Sequence, residues 1–170
     1  AVYLQTLLES GLIGPRWQTA FRTVGEKILK ALTPMFDNVP LLRVHGDCHR
    51  GNIMERPEEG LLLIDFDDMA MGPAVQDLWM LLPDRVDRCR KELDLILDGY
   101  RLFRDFDERQ ARLVEPLRAM RMLYFLAWCG RQADDPGFTR TFPDWGTDVF
   151  WAREIQALQE QLGAVYDVCF

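Results

Sequence analysis

Long apolar runs are missing from this chain. None approaches the roughly 18–20 residues a helix needs to span a bilayer, and no signal-peptide pattern opens the sequence. A basic balance is missing too: the net charge is −7, and clusters such as RVDRCRK are broken by acids, as on a solvated helix face. Neither nucleic acid nor a membrane is expected as a partner. Paired cysteines are also lacking. Cys48, Cys89, Cys129 and Cys169 are scattered without a C-x-x-C, so free thiols in a reducing cytoplasm are expected and no disulfide framework is needed. There is no internal repeat and no low-complexity stretch.

What is present suits one soluble domain over residues 1–170, with 48% hydrophobic and 28% charged residues. The opening, AVYLQTLLESG, starts directly in helix-compatible sequence, as the interior of a longer protein would. Trp17, Phe21, Val24, Ile28 and Leu32 recur at helical steps behind Pro15, which suits a first helical position. The period then changes. LLRVH (41–45), a short piece from Asn52 to Glu55, and LLLIDF (61–66) are bounded by Gly, Pro and Asn, and predict strands. Helices return from Pro73. Three stripes are expected: Cys89, Leu93, Ile96, Tyr100 and Phe103; Leu113, Leu117, Met120, Tyr124 and Ala127; and Trp151, Ile155, Leu158 and Leu162. DDPGFTRTFPDWG (134–146) reads as a loop. The fold class is α+β, mostly helical, with a small β-hairpin patch.

The chemistry concentrates in HGDCHRGN (45–52) and LLLIDFDD (61–68). Asp47 and Asn52 stand five apart on a loop leaving a strand, and Asp65 ends the next apolar strand. Phosphoryl transfer needs one carboxylate to orient the attacking hydroxyl. It also needs hard oxygen ligands, an amide and a carboxylate, to hold magnesium against nucleotide phosphates. A hairpin returning Asp65 beside the 47–52 loop would supply that set.

D-x-x-x-x-N followed by a strand-end Asp is the spacing of the protein-kinase catalytic loop and its metal-binding aspartate. Gly46 in place of the H-R-D arginine, and Asp65-Phe66-Asp67 in place of D-F-G, resemble the aminoglycoside phosphotransferase and choline kinase superfamily. GPAVQDLWMLL, VEPLRAMR and YFLAW are similar to its bacterial stress-response kinase A group, the RdoA or YihE-like kinases. The resemblance implies a protein-kinase-like C-terminal lobe of an ATP- and Mg2+-dependent serine/threonine kinase. Its ATP would be held mostly by an N-terminal lobe, of which no G-x-G-x-x-G or V-A-x-K element appears here. It further implies Asp47 as catalytic base, Asn52 and Asp65 as magnesium ligands, and Asp77 as the brace of the catalytic loop. His49 would contact the transferring phosphoryl group, and Asp67 would either bind a second metal or support the first one's ligands from behind. His45 reads as structural, its ring bracing the loop.

Each of these residues also has a plainer reading. An aspartate at a strand end often caps a turn, Asn52 can be a turn residue, and Asp68 reads as a cap. His49 is divided between phosphate contact and loop hydrogen bonding, and Asp77 would by default face solvent. Zinc on His45, Cys48 and His49 would require a sharp turn to make the ligands converge. Three other functions compete with the protein kinase. A small-alcohol kinase would use the same catalytic residues, with Asp134, Asp135, Asp144 and Asp148 as candidate pocket carboxylates for an amino sugar. A two-metal phosphoesterase needs dispersed histidines, and both histidines here lie in one loop. The last is a non-catalytic binding lobe. A protein or a small hydroxyl-bearing molecule is the expected phosphoacceptor.

Overall fold

The computed structural model describes residues 1–169, and the expectation of a free thiol at Cys169 lies outside the residues whose side chains are described. The chain is mostly helical with small antiparallel sheets. Its contacts gather into two compact units, Phe36–Glu115 and a second made of Ala1–Met35 with the segment from Pro116 onward.

The second unit is helical. Helices α1 (Val2–Glu9) and α2 (Pro15–Leu32) come first in the chain. Pro15 occupies the first turn of α2, where its missing N–H costs nothing. Phe21, Val24, Ile28 and Leu32 are buried, as their spacing predicts. Trp17 of the same stripe is only half-buried, its indole N–H donating to Asp148 Oδ1 at 2.6 Å. Gly25 admits Leu4: a Cβ there would lie 2.6 Å from Leu4 Cδ1, so a larger residue would force the Leu4 side chain to shift.

Unit Phe36–Glu115 holds β1 (Leu42–Val44), β2 (Ile53–Arg56), β3 (Gly60–Leu63) and β4 (Ala70–Gly72), followed by α3 (Gln76–Trp79) and α4 (Arg90–Arg101). β1 pairs with β4, and β2 with β3, both antiparallel. β4 has no counterpart in the sequence reading, because AMG carries neither alternation nor β-branched residues; its partner β1 supplies the order. Pro73 opens a turn rather than a helix, its carbonyl accepting from Gln76 N at 2.9 Å, and α3 is a single turn. Phe103 lies beyond the end of α4 and is 91% exposed, so the predicted stripe ends with Tyr100. The core of this unit is Val44, Val75, Leu78, Trp79, Leu82, Val86, Leu93, Leu97 and Leu113.

The chain re-enters the helical unit through α5 (Val114–Gln132), followed by α6 (Pro136–Thr141) and α7 (Asp148–Cys169). The apolar face of α5 is turned from the predicted one. Met120 is exposed, whereas Ala119, Leu123 and Leu126 are buried alongside Leu117 and Ala127. Segment 134–146 is not all loop. Asp135 caps α6 by accepting from Gly137 N and Phe138 N at 2.7 and 3.0 Å, and Pro136 is the first helical residue. D-P-G-F is thus a helix start rather than a helix breaker. On α7, Trp151, Ile155, Leu158 and Leu162 are buried, and Phe21 meets Trp151 edge-on at 5.7 Å.

Candidate active site

Two ladders bring two loops together. Pairing of β1 with β4 sets Val44 opposite Ala70, so the loop leaving β1 at His45 meets the segment entering β4. Pairing of β2 with β3 sets Ile53 opposite Leu63, and Ile64 N continues the ladder by donating to Asn52 O at 3.0 Å. Asp65, one residue further on, therefore emerges beside Asn52. Its backbone is left-handed, φ 65°, and its side chain is exposed. That conformation costs an L-residue about 1 kcal/mol, less for Asp and Asn than for most.

The loop from His45 to Asn52 is fixed by hydrogen bonds. Asp77 accepts from His45 N at 2.7 Å and Gly46 N at 2.9 Å, so its carboxylate joins α3 to the loop rather than facing solvent. The His45 ring joins both loops: Nε2 lies 2.9 Å from Ile64 O, Nδ1 accepts from Asp47 N at 3.4 Å, and the ring packs on Phe66 at 4.7 Å. A neutral imidazole with its proton on Nε2 satisfies both contacts. Gly46 has φ 89°, and a Cβ on it would sit 2.2 Å from the Asp68 carbonyl oxygen. No other residue fits there without moving backbone.

Asn52 is buried, and its Nδ2 donates to Asp47 O at 2.9 Å. With the nitrogen committed inward, the oxygen is the end of the amide left for a ligand. His49 Nδ1 accepts from Gly51 N at 3.0 Å, and its Nε2 faces Asp47 Oδ2 at 3.6 Å. The structure therefore brings Asp47, His49, Asn52, His45 and Asp77 into one bonded loop, with the Asp65 segment tied to it. Asp67 is exposed, and among the described residues no three His, Cys, Asp or Glu side chains gather into a metal-holding group. One amide oxygen and one exposed carboxylate are hard donors, and they fit an ion that keeps most of its waters, as magnesium does.

The same geometry argues against zinc. Both nitrogens of His45 are spent on backbone, and Cys48 is buried with its thiol pushed up by burial first, then by Asp77 and Asp47. A thiolate is disfavoured there. A two-metal phosphoesterase fares no better, since His49 Nδ1 accepts from Gly51 N and the ring proton therefore sits on Nε2, the nitrogen a metal would need. Gln76 was not anticipated from sequence. Its Nε2 donates to Gly46 O at 2.8 Å; a glutamine beside an aspartate at a helix start gives no signal of its own.

The model of the phosphotransferase enzyme family matches residues 3–114. The stress response kinase A of Escherichia coli K12 is 41% identical over 157 residues, covering 92% of this chain and 46% of the relative. That of Salmonella paratyphi A is 38% identical over 164 residues, 96% of this chain and 49% of the relative. A Salmonella typhimurium protein named serine/threonine protein kinase RdoA is also 38% identical over 164 residues, with the same coverage. The chain spans about half the length of these curated relatives. It belongs to the phosphotransferase enzyme family, on the branch of the stress response kinase A proteins.

Proposed function

We propose that this chain carries the catalytic and metal-binding loops of an ATP-dependent phosphotransferase that acts on a serine or threonine hydroxyl of a protein. The observation that carries the reading is the Ile64–Asn52 ladder bond, which delivers Asp65 in its left-handed conformation beside the buried amide of Asn52. Asp47 would orient the acceptor hydroxyl and take its proton. The Asn52 bond to Asp47 O and the Asp77 bonds to the amides of residues 45 and 46 hold its backbone for that task. Asn52 and Asp65 would hold magnesium, which when bound supplies positive charge to the phosphate oxygens. His49 would keep that carboxylate oriented, or turn its Nε2 proton to an incoming phosphoryl oxygen; its Nε2 lies 3.6 Å from Asp47 Oδ2, which supports the reading.

A protein acceptor is favoured over a small alcohol by the name of one relative, serine/threonine protein kinase RdoA. The test is phosphotransfer from ATP by the full-length polypeptide, to casein and to a panel of small alcohols. Asp47→Ala and Asp65→Ala should each lower kcat by at least about a thousandfold while the unfolding midpoint changes little. A variant with the wild-type rate removes that residue from the mechanism, and transfer only to small alcohols reassigns the acceptor.

A further inference from the structure

We infer that Gln76 is a positioning residue for the catalytic aspartate, an inference that rests on the phosphotransfer reading of Asp47. The peptide unit between Gly46 and Asp47 is held at both ends. Its carbonyl accepts from Gln76 Nε2 at 2.8 Å, and its N–H donates to His45 Nδ1 at 3.4 Å. The preceding amide is on Asp77, and the following carbonyl accepts from His49 N and Asn52 Nδ2, both at 2.9 Å. Gln76 thus supplies the side-chain donor that fixes the plane from which the Asp47 side chain departs. Two neighbours independently set which way its amide points. A carbonyl oxygen needs a donor, and the indole N–H of Trp79, 3.5 Å from Gln76 Oε1, can only donate. Gly46 makes this bond necessary: a glycine at positive φ has little of its own to resist rotation of the peptide.

The closing experiment compares Gln76→Met and Gln76→Glu in the full-length polypeptide, with ATP, magnesium and casein. Methionine keeps the volume and loses the donor. Glutamate keeps the shape and sets a carboxylate oxygen against the Gly46 carbonyl. The expected result is a fall in kcat of about tenfold for Met and more for Glu, with KM for ATP within about twofold of wild type. Equal losses in the two variants, a wild-type kcat in either, or a loss confined to KM overturns the inference. Gln76→Asn, whose amide is one methylene too short, replaces Met if that variant does not fold. A wild-type enzyme without phosphotransfer sinks the functional reading instead. The Asp47 amide resonance of this chain then still reports the bond, and an unmoved signal in Gln76→Met would sink the positioning role by itself.

Discussion

Gly46 shows how one missing side chain decides a site. Alanine there would need a left-handed backbone, costing about 1–2 kcal/mol, and would drive its Cβ to 2.2 Å from the Asp68 carbonyl oxygen. The overlap can be relieved only by parting the His45–Asn52 loop from the Asp65–Met69 segment. Gly46→Ala should therefore lower the unfolding free energy by more than about 2 kcal/mol and lower transfer at least as far as Asp77→Ala does. Denaturant unfolding of this chain checks the first part, and a wild-type midpoint would refute it. The sequence offered partial access to this residue scale. Asp47, Asn52 and Asp65 stood out because their chemistry and spacing coincide. Gln76 did not, since its role depends on a contact across 30 residues to a backbone carbonyl, which no local pattern encodes.

Among the elements, those with a strong period were the legible ones. Apart from the half-buried Trp17, the stripes of α2 and α7 are buried as their spacing indicates, because each helix has one apolar face and a matching partner. The face of α5 is harder to read, since apolar residues run almost all round it and only packing selects among them. β4 and α3 are too short for any period to show, and each is fixed by contacts made elsewhere. Helix α5 also carries a pH-dependent element. Cys129 is buried, and its thiol is pushed up from 9.0 to about 11 by burial first and then by the Glu154 charge. The folded chain holds this proton more tightly than the unfolded chain. The stabilisation is therefore complete below about pH 9 and is lost as the pH rises toward about 11. Urea midpoints measured across that window should fall with pH, and the fall should be shallower in Cys129→Ala than in wild type. Parallel slopes would show that other groups govern the alkaline limb.

At the scale of the whole molecule the decisive fact is the division of labour that phosphoryl transfer requires. A kinase needs a hydroxyl-orienting carboxylate, oxygen ligands for the metal, and a covering element that grips the nucleotide phosphates through backbone amides and a lysine. The first two requirements have candidates in the 45–67 segment. For the third, neither a G-x-G-x-x-G nor a V-A-x-K motif occurs in the sequence. The β2–β3 hairpin leaves Met54, Leu61, Leu62 and Leu63 exposed, an apolar surface of the kind that a covering element and a nucleotide base pack against. The 170-residue chain alone should accordingly show no magnesium-dependent ATP turnover above background, while a polypeptide of the relatives' full length should turn over at the 1–100 s⁻¹ typical of kinases, to within about tenfold. Both are read in one coupled assay at matched concentration, with Asp65→Ala as the blank. Rapid magnesium-dependent turnover by this chain alone, abolished in Asp65→Ala, would mean that the loops grip ATP unaided, and the requirement for a separate covering element would fall.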